Sequence, residues 1–155
     1  MSDLYCKNIT EGLSLGNQGF LRWCIEKNEF LKSFNNVREV NSNYYCLRVE
    51  LKDLLFVNQV GVHFSFNKIQ KVELFNSSAT NETGVELFKK HQQDLEKIFG
   101  KPKIFCSSIQ QLFNTSNNVY KWDFKTVELI HSLQDRFGME ERVEFSIKDS
   151  FVNNY

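Results

Sequence analysis

Apolar residues recur along this chain at two different spacings. Between Asn17 and Phe34, Phe20, Cys24 and Leu31, then Trp23, Phe30 and Phe34, fall at helical intervals with Leu21 and Ile25 alongside. That spacing predicts an amphipathic helix stopped by Asn35-Asn36. From Tyr44 to Leu51 the period drops to two. Tyr45, Leu47, Val49 and Leu51 alternate with Tyr44, Cys46, Arg48 and Glu50, as in a half-buried strand. A second strand is expected within Leu54–Phe66, where Val60, Val62, Phe64 and Phe66 share a face. Asn67-Lys68 is a turn, Ile69–Phe75 a third strand, and Asn76–Thr83 a polar loop.

The helical period returns over Gly84–Phe99, with Val85, Phe88, Leu95, Ile98 and Phe99 as the stripe and Leu87 flanking. Thr83 and Glu86 have capping-box spacing, Gly100 follows as C-terminal cap, and Pro102 blocks continuation. Ile104-Phe105 reads as a short strand and Ser107–Asn118 as a polar loop. Tyr120–Phe124, Val127–Gln134 and Arg142–Lys148 are strand-like, with Asp135–Gly138 a hairpin loop and Asp149–Tyr155 a loose tail.

The predicted order is α-β-β-β-α-β-β-β. Short links favour antiparallel pairing, and two helices suffice to cover one face of such a sheet. The expectation is an α+β domain spanning residues 1–155, with a mostly antiparallel sheet and two main helices packed on one face. Residues 17–76 and 83–148 are candidate halves of a tandem α-β-β-β repeat. A domain of 155 residues buries about 70% of its unfolded surface and folds without staples.

Composition narrows the function classes. Nineteen basic residues balance nineteen acidic ones. Nine basic and eight acidic residues precede Ser78, and ten and eleven follow. A nucleic-acid binder needs a basic field, so nucleic acid is not an expected ligand. No apolar run approaches the roughly 20 residues of a membrane span, and MSDLYCKNITEG lacks the order of a signal peptide. A cytoplasmic location follows as the expectation. Cys6, Cys24, Cys46 and Cys106 form no CxxC pair or zinc spacing and read as free thiols, Cys24 and Cys46 as small core residues. The N-x-S/T triplets at Asn8, Asn76, Asn81 and Asn114 suit an asparagine-rich chain without implying glycosylation.

No nucleophile elbow, Walker loop, HExxH helix or dinucleotide turn is present, and Gly16–Gly19 reads as a loop before a helix. Cys106 near a helix start would have an activated thiol but lacks an evident histidine partner. His91 sits at the edge of the second helix stripe. His63 alternates with apolar neighbours and faces away from the core, whereas His131 shares the parity of Val127, Leu129 and Leu133. Pointing to opposite faces, these two do not share a metal. The acid pairs Glu50/Asp53, Asp94/Glu96 and Glu140/Glu141 read as solvated surface. No catalytic residue, cofactor or metal is expected.

The remaining candidates are the polar rows of the strands: Tyr44, Arg48 and Glu50; His63; Lys71 and Glu73; Lys121 and Asp123; Glu128; and Glu144. Such a mixed face is ordinarily plain solvated sheet; functionally, it offers charges that steer and register a protein partner. The helix-plus-sheet repeat resembles tandem-repeat protein inhibitors of the beta-lactamase inhibitor type, which present a sheet face to an enzyme. Those inhibitors are secreted and disulfide-bonded, which this chain does not match. YKWDFKTVELIHSLQDRFGMEERVEFSI, residues 120–147, looks like the strand-rich C-terminal part of immunity proteins of bacterial toxin systems, including contact-dependent growth inhibition. The resemblance implies a non-enzymatic, cytoplasmic toxin inhibitor, a monomer or weak dimer, whose partner is a toxin domain. It carries no individual residue across. One alternative is a small-molecule-binding or enzymatic domain with a pocket built on Trp23, Trp122 and Tyr120. Another is an assembly module dimerising through an edge strand.

Overall fold

A computed structural model of the chain describes residues 8–78, 81–105, 119–135 and 139–149. Cys6, Cys106, the predicted loop at 107–118, the turn at 136–138 and the tail beyond Asp149 lie outside the described residues.

Gly12–Ser14 (β1) and Phe20–Arg22 (β2) form an antiparallel hairpin, followed by the helix Lys27–Ser33 (α1). The helix predicted from Asn17 is thus confined to its C-terminal part. The reason lies in residues that satisfy both periods. Leu21, Trp23 and Ile25 are buried and Arg22 and Glu26 exposed, which is alternation as much as a helical stripe. Gly16 decides between them. At φ 58° it bridges to Glu50, and a Cβ there would collide with the Glu50 carbonyl.

Arg38–Asn41 (β3), Tyr44–Arg48 (β4), Gln59–Ser65 (β5) and Lys68–Phe75 (β6) form a meander. All four β3 residues are exposed, so that edge strand carries no apolar pattern and sequence reading passes over it. The β5–β6 turn falls on Phe66-Asn67, both at positive φ, one residue before the predicted site. Gly84–Phe99 is α2, as predicted, with the Thr83/Glu86 capping box formed and Gly100 capping its end. Lys103–Phe105 (β7), Val119–Asp123 (β8), Val127–Asp135 (β9) and Met139–Ile147 (β10) make a second meander.

The meanders meet where β6 pairs antiparallel with β10, giving one eight-stranded sheet in the order β3-β4-β5-β6-β10-β9-β8-β7. One meander falls within residues 17–76 and the other within 83–148, each preceded by a helix. The first meander gains the edge strand β3 over the expected three; in the second, β7 is the short strand expected at Ile104-Phe105.

Register assigns each face. Tyr45, Leu47, Val60, Val62, Phe64, Val72 and Leu74 share one side with Val127, Leu129, Val143 and Phe145, and all are buried. Phe30 of α1 packs on Tyr45 and Phe64 there, Trp23 of the hairpin segment on Phe145, and Phe99 of α2 on Trp122 and Phe145. A wholly buried ring such as Phe145 stabilises the fold by about 1.5–3 kcal/mol. Both helices therefore cover one face of a mostly antiparallel sheet, the expected α+β arrangement. Among the described residues no helix is long and apolar enough to cross a membrane.

Candidate functional site

The sheet face opposite the helices carries the polar rows. On the central strands, Tyr44, His63, Lys71, Glu73 and Glu144 converge. Gly61 pairs with Cys46 across β4–β5, and a Cβ at Gly61 would stand 2.7 Å from the Tyr44 ring. The missing side chain lets Tyr44 lie flat, stacked on His63 with centroids 4.0 Å apart and planes 12° apart. The Tyr44 hydroxyl donates to Glu73 Oε2 at 3.2 Å, and His63 Nε2 lies 3.0 Å from the same oxygen. Lys71 Nζ reaches Glu73 at 3.2 Å and Glu144 at 3.6 Å. Glu73 and Glu144 are direct cross-strand partners, so Lys71 bridges two like charges that would otherwise repel.

The electrostatics follow. The His63 hydrogen bond, reinforced by Lys71, outweighs burial and holds the Glu73 carboxyl down at about 2. Burial, a hydrogen bond with Cys46 and the Glu73 charge push the Tyr44 hydroxyl well above its ordinary range, so Tyr44 stays a neutral donor.

The other predicted partner residues are more scattered. Lys121 and Glu128 pair at 3.2 Å further along the same face. Asp123 at the end of β8 is paired with Lys148, whose hydrogen bond lowers its carboxyl. Arg48 ends β4 and is exposed. Glu50 lies past the end of that strand, where its N–H donates to Asn17 Oδ1, so it does not extend the Tyr44 row. Cys46, Gly61 and Ser132 are buried on this face, whose other central residues are half-exposed.

The helix-covered face contains a second polar group that the sequence reading did not assemble. His131 of β9 is fully buried. Gln92 of α2 donates from Nε2 to Glu96 at 2.8 Å, which turns its carbonyl oxygen toward His131 Nδ1 at 2.6 Å. The other ring nitrogen lies 2.6 Å from Glu141 Oε1. Each His131 ring nitrogen thus lies within hydrogen-bond reach of an oxygen, the Gln92 carbonyl on one side and the Glu141 carboxylate on the other. His91 of α2 donates from Nδ1 to the same carboxylate, at 2.7 and 2.9 Å. Burial pushes the Glu141 carboxyl up, but the hydrogen bonds from His131 and His91 prevail and hold it below the usual range. Phe56 stacks on His91 and Phe88 on His131.

Glu141 is therefore not solvated surface. It shares the inward parity of Val143 and Phe145, and β10 begins at Met139 rather than at Arg142. A strand boundary placed three residues late hid it. His63 and His131 do point to opposite faces, as their parity predicted, and no group of metal-holding side chains occurs among the described residues. Of the residues named for an aromatic pocket, Trp23 and Trp122 belong to the core, their indoles donating to the carbonyls of Ile9 and Gly100, and Tyr120 packs half-buried against it.

These features define a mostly antiparallel α+β sheet with one half-buried polar cluster on the face away from the helices and one beneath a helix. No family model and no curated relative matches the chain. It is similar to the crystal structure of a DUF4309 family protein (YjgB) from Bacillus subtilis, at 13% identity over 94% of this chain and 93% of that one, with a TM-score of 0.45. Nothing about activity or partner is carried over from that likeness.

Proposed function

We propose that this is a non-enzymatic protein-binding domain, specifically an immunity-type inhibitor that neutralises a cognate toxin by docking its open sheet face over the toxin's working surface. The observation that carries this reading is the Tyr44–His63–Lys71–Glu73–Glu144 cluster, on the face that the helices leave uncovered. Its side chains already hold one another, so less ordering entropy is lost when a partner arrives. An aromatic ring flanked by charges suits a contact in which the ring supplies area and the charges set register. Two carboxylates share one lysine, which complements a partner surface presenting a basic side chain between Glu73 and Glu144.

The test is co-expression with the product of the adjacent open reading frame, followed by calorimetry. We expect co-purification at nanomolar affinity or better, weakened by salt, and a loss of at least about a hundredfold for Glu73→Arg/Glu144→Arg. Failure of any neighbouring product to co-purify would sink the proposal. So would an affinity that this double charge reversal leaves unchanged.

A further inference from the structure

Where β4 ends, a cleft of about 990 Å³ opens between the loop carrying Asn17 and Gln18, strands β3 to β6, and the segment that follows β6. Its volume lies at the upper end of the range of about 300–1,000 Å³ usual for small-molecule sites. Amide side chains fix both rims. Gln18 Nε2 donates to the Arg48 carbonyl at 3.2 Å, and Asn17 Oδ1 accepts the Glu50 N–H at 3.2 Å. Opposite, Asn58 Nδ2 donates to Asn76 Oδ1 at 2.9 Å and to Ser78 Oγ at 3.0 Å, while Asn58 Oδ1 accepts the Ser77 N–H. Gln59 Nε2 donates to Ser77 Oγ at 2.9 Å, which leaves the Gln59 carbonyl oxygen as an acceptor. Register sets the floor. Arg48, Gln59 and Phe75 are cross-strand partners in one row of β4, β5 and β6. Arg38 of β3 opposes Cys46, two residues before Arg48, so the two arginines are diagonal neighbours on one face.

The two arginines point to an occupant. A guanidinium stays protonated in proteins, so its charge does not depend on a titration. Among the described residues, neither the Arg38 nor the Arg48 side chain has an ion pair or a hydrogen bond. Glu50 is the one acid among the described residues of the lining, so the cleft is net positive. Two neighbouring cations without a counter-ion favour an anion between them, and their planar forks match the paired oxygens of a carboxylate or a phosphate. The rest of the lining restricts what brings that anion. Glu50 and the amide and hydroxyl side chains offer acceptors and donors suited to hydroxyl groups, and the half-buried Phe75 ring offers one apolar surface.

We propose that this cleft binds an acidic sugar. Its carboxylate or phosphate lies between Arg38 and Arg48, its hydroxyls donate to Gln59 Oε1 and Glu50, and one face of its ring packs on Phe75. An exposed ion pair alone binds weakly, so the hydroxyl contacts supply the selection for a sugar over a simple anion. The cleft shares the uncovered sheet face with the Tyr44 cluster but none of its side chains, so the proposal does not rest on the docking reading.

The test uses the whole chain without any protein partner. Glucuronate, glucose 6-phosphate, glucose and acetate are titrated by calorimetry, while the Nε–H resonances of Arg38 and Arg48 are followed by NMR. Expected are saturable binding of at least one of the two acidic sugars, shifts of both arginine resonances, and an affinity at least about tenfold above that of glucose or acetate. Which acidic sugar binds more tightly separates a carboxylate ligand from a phosphate. Arg38→Gln/Arg48→Gln, at two exposed positions, should lower the affinity by at least about tenfold. Lys90→Gln/Lys97→Gln removes the same charge from α2 and should leave it unchanged. Absence of saturable binding up to about 10 mM overturns the site. Binding that moves neither arginine resonance in the parent chain does the same, whether or not the arginine variant folds. So does binding that the folded arginine variant retains, or that the lysine control loses equally. Glucose or acetate binding as tightly as the acidic sugars overturns the ligand class.

Discussion

The two halves of the sheet carry the same chemical pair on opposite faces. In the first half, His63 on β5 meets Glu73 on β6; in the second, His131 on β9 meets Glu141 on β10. Each histidine lies on the penultimate strand of its meander, and each glutamate follows ten residues later on the last. The difference is one of parity. His63 alternates out of step with Val62 and Phe64, whereas His131 keeps step with Leu129 and Leu133. The first pair lies 3.0 Å apart with both side chains about a quarter exposed, shared with Lys71 and Tyr44 and reachable by a partner. The second lies 2.6 Å apart with its histidine wholly buried and every polar atom of that ring engaged. The identity of a side chain thus says little about its task until its face is known. On the half-exposed face the pair is screened by solvent and carries less energetic weight; under α2 it fastens a helix to a sheet.

The sharpest test of this contrast is the paired truncation of the two glutamates. Glu141→Ala leaves buried histidines without their counter-charge and should destabilise the fold by about 3–5 kcal/mol in urea unfolding. Glu73→Ala, in a half-exposed and partly screened network, should lose less, about 1–2 kcal/mol. Equal losses would mean that the two faces are not the different media described here. A smaller effect is expected from the cap of the helix that roofs the buried cluster. Thr83→Ala removes the oxygen that accepts from the Glu86 N–H and should lower stability by about 1 kcal/mol, with no change in affinity for a docking partner.

The third test reads the open face by acid. The Glu73 carboxyl titrates at about 2 in the fold against an ordinary 4.5, a depressed value. Its contribution is therefore complete above about 4.5 and is lost as pH falls from there toward 2. Thermal melts across that window should slope less steeply for Glu73→Gln than for the parent chain. An unchanged slope would remove Glu73 as an acid-sensitive member of the cluster. Glu141, also depressed, acts in the same direction, so the Glu73→Gln curve should flatten only in part.

Much of the architecture was legible in the chain because local signals agreed with the fold. α2 has a stripe, a capping box and a terminal glycine, and all three point to the same boundaries. Strands β4, β5, β6, β9 and β10 carry a period of two in their large apolar residues, so parity alone places His63 outside and His131 inside. The hairpin of β1 and β2 was illegible because Leu21, Trp23 and Ile25 fit either period, and β3 because an exposed edge strand needs no apolar positions. Of the ten residues picked from the polar rows, Tyr44, His63, Lys71, Glu73 and Glu144 come together, since β4, β5, β6 and β10 lie side by side. Glu50 separates from them, since β4 ends at Arg48.

By itself, then, the order of residues determined which positions face inward on each strand, where the long helix starts and stops, and that one side of the sheet is polar. Those are consequences of periods of two and 3.6 residues and of side chains that bond their own backbone, all of which act within a few residues. Only the tertiary structure decided that β6 would lie against β10, bringing Glu73 opposite Glu144, and that α2 would pack on β9 and β10 so that His91 and His131 share the Glu141 carboxylate and Gln92 meets His131. Such meetings join residues from ten positions apart, as in His131 and Glu141, to 71, as in Glu73 and Glu144. Which surfaces bury one another settles them, and no local signal encodes that choice.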